Sequence, residues 1–299
     1  MIHKTVLLNE VIEKLNLKKG AVYFDGTLGG AGHSLKICSD FGNNVRIIAV
    51  DKDISAIKNA QEKFSKLNCQ TDFILSDFRD LDIVLTNLNI KKVDGILFDL
   101  GLSSDQLENS NRGFTFKNNE SLLMTFSENK QKVNAKIILN NWSEETIADI
   151  LFGYSDEKYS RKIAKAIVLA RKIKTIKTTF DLIEIIKNAV PRNYQKGKIH
   201  FATKTFQSLR IAVNDEITAL KEGMEKGWGF LKNGGRIAII SFHSVEDREV
   251  KNFFKDKVKK GEGKLINKKP IISSEKERKE NPRSRSAKLR VIEKIGSRF

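Results

Sequence analysis

The stretch YFDGTLGGAGHS, Tyr23–Ser34, decides how the rest of the chain is read. An apolar run stops on the carboxylate of Asp25, and four of the next seven residues are glycine. A buried strand that ends on an acid and then sheds its side chains brings bare backbone up to something it must touch closely. In doubly wound sheets, ligands bind beyond the carboxyl ends of the strands, so the residues that follow each strand carry the information.

Working outward, the same punctuation recurs. VRIIAVD ends at Asp51 and is followed by Asp53, TDFILSD ends at Asp77 with Phe78 behind it, and VDGILFDL holds Asp99. These runs are apolar throughout rather than alternating, as expected of parallel strands covered on both faces. Between them, DISAIKNAQEKFSKL repeats its apolar residues at three- and four-residue steps, the period of a crossover helix. The expected class is therefore α/β, a doubly wound Rossmann-like sheet. From about Asp105 to Asp215 helical text replaces the rhythm, and strands resume at NGGRIAIISF and SAKLRVIEKI. The expected organisation is residues 1–104 as the first part of a sheet domain, 105–215 as a mainly helical insertion, and 216–299 as the second part. The basic segments KKGEGKLINKKP and SSEKERKENPRSRS read as mobile stretches that order on a partner.

The glycine spacing excludes two familiar phosphate cradles. Gly-x-Gly-x-x-Gly fails because Leu35 stands three residues after Gly32, and no Gly-Lys-Ser/Thr follows for a Walker loop. Asp51 at the end of the second strand suits bidentate hydrogen bonding to ribose hydroxyls, and an acid plus a phenylalanine after the third suit the edge and face of adenine. A ligand with adenine and ribose but no pyrophosphate fits this set, and the common one is S-adenosylmethionine.

Composition narrows the partners. The 299 residues carry a net charge of +17, and the last 49 alone hold 17 Lys+Arg against 6 Asp+Glu. An excess placed at one end favours a polyanion, nucleic acid first. No apolar run approaches the roughly 20 residues of a membrane crossing, and acids interrupt the first apolar segment where a secretory signal needs an uncharged core. Two cysteines and four scattered histidines support neither a disulfide framework nor a metal site. The expectation is a cytoplasmic, metal-free protein with no membrane partner; a homodimer is left open.

Taken together, HKTVLLNEVIEKL, FDGTLGGAGHS, ILFDLGLSSDQL, RGFTF, HFATKTFQSLRIAVNDEI, GGRIAIISFHSVEDREVKNFF and NPRSRSAKLRVIEK resemble the RsmH (MraW) family over essentially the whole chain and in the family's order. That resemblance implies S-adenosylmethionine-dependent methylation of N4 of a cytosine in the decoding region of 16S ribosomal RNA, on naked RNA or on the small subunit. It implies that Ala31, Gly32, His33, Asp51, Phe78, Asp99 and Gln106 hold the cofactor, with Asp25, Gly29 and Asp77 as further candidates. Two departures stand out: Gly30 replaces a usual arginine, and NNESLLMTF, ending at Phe126, replaces the family's DGPLDMRM, so that Leu123 and Thr125 stand where an acid and an arginine are usual.

The exocyclic amine of cytosine is a poor nucleophile, so the enzyme must hold it in line with the methyl–sulfonium bond at about 3–3.5 Å and accept one of its hydrogens as charge develops. Asp99 is the candidate, either for that task or for holding the methionine end. The chain lacks the Pro-Pro-aromatic element of many amino-directed methyltransferases, which leaves Phe114, Phe116 or Phe242 to stack on the base. Candidate RNA contacts are Arg112, Arg161, Lys162, Lys165, Lys204, Arg210, His243, Arg283 and Arg285. The competing readings are an assembly factor that binds RNA through a decayed methyltransferase site, a DNA amino-methyltransferase, and an oxidoreductase using NAD, the last opposed by the missing fingerprint.

Overall fold

A computed structural model describes residues 4–102, 106–107, 110–126 and 133–296. The chain divides into two compact units, one made of residues 1–102 and 217–299, the other of 103–216.

The first unit is built on a sheet whose strands are β1 (Ala21–Asp25), β2 (Val45–Asp51), β3 (Gln70–Leu75), β4 (Val93–Asp99), β5 (Leu231–Ser241), β6 (Gly263–Leu265), β7 (Ile271–Ile272) and β8 (Lys288–Lys294). Their spatial order is β3-β2-β1-β4-β5-β8-β6, with β7 also on β8. The first five are parallel, and β8 runs antiparallel to β5 and carries β6 and β7 antiparallel on its far side. The order reverses direction between β1 and β4, the switch point at which such sheets bind ligands. Five of the seven residues of β2 and of β4 are buried, whereas the edge strand β3 buries none, and this is why β2 and β4 read as continuous apolar runs.

Helices cover both faces. One core gathers Tyr23, Ile47, Ala49 and Leu97 beneath α1 (Leu8–Leu15) and α2 (Gly32–Phe41); the other gathers Phe24, Ile48, Phe98 and Ile239 beneath α4 (Leu81–Asn87), α11 (Glu216–Phe230) and α12 (Ser244–Lys259). Alternation along the strands sorts Tyr23 to one face and Phe24 to the other. Helix α3 (Ile54–Phe64) is capped by Asp53, whose carboxylate accepts the Ser55 N–H.

The second unit is helical. It contains α5 (Ala135–Asn141), α6 (Glu144–Ser155), α7 (Ser160–Ile173), α8 (Thr179–Ala189), the short α9 (Arg192–Gln195) and α10 (Thr203–Asn214). The long helical text across TFQSLRIAVNDEI breaks at Asp215, which adopts a left-handed φ of 50° after α10.

Two expectations are corrected. The basic segments near the end do not read out as mobile stretches: they form β6, β7, α13 (Glu275–Glu280) and a 3₁₀ turn at Pro282–Ser286, tied by bonds such as Ile266 N–H to the Val291 carbonyl at 3.0 Å. Strands of two and three residues, paired to a later strand, leave no periodicity to detect. The two cysteines, which argued against a disulfide framework, form one bridge, Cys38–Cys69, with Cα atoms 5.7 Å apart across 31 residues of sequence. A single bridge between α2 and the start of β3 is invisible in spacing because it depends on the parallel stacking of β1, β2 and β3.

Candidate active site

The turn after β1 is sewn to its neighbouring strands through its own backbone. Gly26 N–H donates to the Leu97 carbonyl at 2.9 Å, Leu28 N–H to the Val50 carbonyl at 3.1 Å, and Gly29 N–H to Asp51 Oδ2 at 2.8 Å. Gly26 is required by space: a Cβ there would stand 2.5 Å from the Phe98 ring and 3.0 Å from Phe78 Cβ. Ala31 takes a left-handed φ of 65°, a rare conformation for a side-chain-bearing residue, immediately before Gly32 opens α2.

Around this turn the structure brings together the carboxylates that end β1, β2 and β4. Asp25 is buried; its Oδ2 accepts from Ser34 Oγ at 2.6 Å and its Oδ1 from Thr27 N–H at 3.2 Å. Burial pushes its pKa up to about 6. Asp51 is likewise raised to about 6 by burial, against the lowering effect of the Asp53 and Gly29 amides that it accepts. Asp99 is held well above the ordinary carboxylate range by burial, then by the charges of Asp25 and Glu246. Its backbone N–H donates to Thr27 Oγ1 at 2.6 Å, which locks the end of β4 to the glycine turn.

The two oxygens of Asp99 differ. Oδ2 lies 3.8 Å from His33 Nδ1, and Oδ1 is buried with no hydrogen-bond partner among the described residues. His33 is itself buried, and its Nε2 lies 3.2 Å from the Val6 carbonyl. A carbonyl can only accept, so Nε2 carries the proton and, in the neutral ring, Nδ1 turns its lone pair toward Asp99. A buried carboxylate oxygen without a donor is costly unless a ligand supplies one.

Asp77 is committed elsewhere than expected of an adenine contact. It caps the 3₁₀ turn Phe78–Asp80 through the Arg79 N–H and pairs with Lys52 Nζ at 2.7 Å and Arg79 Nε at 3.0 Å. Phe78 packs its ring 4.9 Å from that of Phe98. After β4, Gly101 takes a φ of 112°, and a Cβ there would press to 3.3 Å on Phe242. His243 caps α12: its Nδ1 accepts the Glu246 N–H at 3.3 Å, and its Nε2 lies 3.0 Å from Glu246 Oε1. Thr27, Ser34 and Glu246 were not singled out in the sequence. The first two sit inside the diagnostic turn, where a hydroxyl two or nine residues from an aspartate signals nothing by spacing.

In the helical unit Gln106 is buried and its backbone carbonyl accepts from Ser110 Oγ at 2.5 Å. Several expected RNA contacts are engaged within the protein. Arg112 Nη1 donates to the Thr125 and Phe126 carbonyls at 3.1 and 2.7 Å, Arg210 grips Glu216 through two bonds of 2.8 and 2.9 Å, and Lys204 Nζ donates to the Asp156 carbonyl at 2.8 Å. Arg161, Lys162, Lys165, Arg283 and Arg285 are exposed. Phe114 is buried against Phe126, and Phe116 stacks on His200 at 4.5 Å. In the altered NNESLLMTF block the buried residues are Glu120, Leu122 and Met124, while Leu123 and Thr125 are only partly covered. Residues 103–105 of the strand-four motif lie outside the described residues.

No described helix is long and apolar enough to cross a membrane. A profile of the MraW methylase family matches residues 1–295. The ribosomal RNA small subunit methyltransferase H of Acetivibrio thermocellus is 45% identical, the alignment covering 98% of this chain and 99% of that protein. Among solved structures, an rRNA methylase from Streptococcus thermophilus aligns over 99% of both chains, at 12% identity and a TM-score of 0.46.

Proposed function

The chain belongs to the MraW methylase family, and we propose that it methylates N4 of a cytosine in the decoding region of 16S ribosomal RNA, with S-adenosylmethionine as donor and the cytoplasm as its place of action. The observation that carries this reading is the buried, unpartnered Oδ1 of Asp99, set beside a glycine turn at the switch point of the sheet. The donor set fits the cofactor: Asp51 stands at the end of β2 for the ribose hydroxyls, and the turn Gly29–His33 offers backbone without obstructing side chains. When bound, the cofactor supplies an electrophilic methyl group on a sulfonium.

The chain's own residues have three tasks. Asp51 orients the nucleoside end. Asp99 Oδ1 accepts a hydrogen from an ammonium or from the target amine, and a cation arriving beside it pulls its raised pKa back down, so that loading and ionisation reinforce each other. His33, pinned through Nε2 to the Val6 carbonyl, walls the Oδ2 side of Asp99. Alignment of amine and methyl group then contributes several kcal/mol of the rate enhancement.

The test is incubation with labelled S-adenosylmethionine and undermethylated small subunits, followed by mapping of the modified nucleoside by mass spectrometry. The expected product is N4-methylated cytidine. Label on DNA instead, or RNA bound without transfer, would favour the amino-methyltransferase or assembly-factor reading.

A further inference from the structure

Away from the switch point, α12 and the connection from β6 to β7 border a shallow pocket open to solvent. Phe254 lies in its lining, and four cations surround it: Lys251 and Lys255 from α12, Lys268 from the connection, and Arg290 from β8. Asn267 also lines it, but its side chain is already used, donating to the Lys269 and Leu289 carbonyls and accepting the Val291 N–H.

The charges are not balanced locally. The acid beside the pocket, Asp247, is consumed by Arg290 through contacts of 2.7 and 3.2 Å and by Lys288 at 3.3 Å, and these cations hold its pKa below the ordinary carboxylate range. Lys251, Lys255 and Lys268 make no ion pair among the described residues. Lys251 and Lys255 stand four residues apart on one helical face, an arrangement of like charges that costs a helix stability. Lysine ammoniums approaching from separate elements suit the several oxygens of a phosphate, which accepts point charges from many directions. Through the sheet register, Asp99 pairs with Ile240 and Ile240 with Leu289, the neighbour of Arg290. That register puts Arg290 two strands across the sheet from β4, a separation that a polynucleotide of several residues spans.

We infer that this pocket binds a backbone phosphate of the RNA substrate. The inference rests on the function proposed above and adds a contact that the cofactor site does not require. The experiment measures the affinity of the full chain for undermethylated 16S RNA as a function of salt, together with steady-state methylation. Wild type is compared with Lys251→Gln/Lys255→Gln and with a control that loses the same charge elsewhere, Lys18→Gln/Lys19→Gln. Losing one phosphate contact should make the slope of log affinity against log salt shallower by about 0.7–0.9. Between 50 and 200 mM salt that amounts to about threefold less loss of affinity. KM for RNA should rise while kcat at saturating RNA and cofactor affinity hold, and Lys251→Arg/Lys255→Arg should restore the wild-type slope.

A pocket variant whose slope and KM match wild type, or move no further than the control, overturns the inference. So does uptake of inorganic phosphate seen by phosphorus NMR while the RNA slopes coincide, which would make this a free-phosphate site. Wild type that neither binds nor methylates the RNA sinks the function itself, a result distinguishable from failure of the pocket alone.

Discussion

The carboxylate of Asp51 should make cofactor binding depend on pH in a range where few proteins show it. In the unliganded protein its pKa is raised to about 6 by burial, although both oxygens accept backbone amides. Ribose hydroxyls donate hydrogen bonds, and hydrogen bonds to the charged form favour ionisation. The competent state is therefore the ionised one, and affinity should rise with pH through 6 and level off above 7. With a pKa of about 6, the ionised fraction falls from about nine-tenths at pH 7 to about one-tenth at pH 5, which weakens the apparent affinity about tenfold. Isothermal titration with S-adenosylhomocysteine measures this directly, since neither the ammonium nor the carboxylate of that ligand titrates in the window. Asp25 has a similar pKa, but its acceptor oxygens serve Ser34 and Thr27 within its own turn. The variant Asp51→Asn separates Asp51 from Asp25 and from Asp99, whose ionisation is also coupled to loading: its profile should lose the step centred near 6, and its affinity at pH 7 should be about 10–100-fold weaker, the worth of a charge-assisted hydrogen bond. A flat wild-type profile, or a step centred near pH 6 that survives unchanged in Asp51→Asn, would refute the assignment of Asp51 to the ribose.

Four further outcomes follow from the same geometry. Asp99→Asn should abolish most methyl transfer while leaving the melting curve near wild type; near-normal turnover rules out both roles given to Asp99. Asp25, raised to about 6 in the fold against about 3.9 unfolded, stabilises the native state below pH 4 and loses that contribution as pH rises through 6, about 3 kcal/mol in all. Urea unfolding of wild type and Asp25→Asn at pH 4.5 and 7.5 should show the difference between them change with that sign, and an unchanged difference contradicts it. Gly26→Ala drives a Cβ to 2.5 Å from the Phe98 ring and should cost about 1–3 kcal/mol by overpacking, read as a lower urea midpoint. Arg210→Ala leaves the largely buried Glu216 without its two bonds and should cost about 3–5 kcal/mol, whereas an exposed cation such as Arg161 should give no measurable change in the same unfolding assay.

The parts of the fold that were legible are those whose local text carries the signal. Strands β1, β2 and β4 announce themselves because burial on both faces keeps their central residues, such as 47–50 and 95–98, apolar, with Arg46 and Asp94 confined to the second position, and α3 shows its period between β2 and β3. The antiparallel edge was not legible: β6 and β7 span only three and two residues, and the lysines around them look like a solvated tail until β8 supplies the pairing. The carboxylates after the strands could be read because they punctuate apolar runs. What they touch could not. Asp77 is taken by Lys52 and Arg79, Asp51 by the amides of Gly29 and Asp53, and only Asp99 keeps an oxygen free among the described residues. Those choices depend on side chains brought together from different strands, as do the partners that engage Arg112 and Arg210.

The pairing of β4 with β5 joins Asp99 to Ile240, so the central sheet is interrupted in the gene by the whole helical unit. On a ribosome adding about 5–20 residues per second, the intervening stretch takes on the order of ten seconds to emerge. During that interval β1 to β4, with the acids at their tips, can assemble, but β4 presents an apolar edge with its backbone groups unmatched, a template for pairing with another chain. Translation pauses or chaperone depletion within the helical segment should therefore send this protein into aggregates more readily than pauses placed after β5.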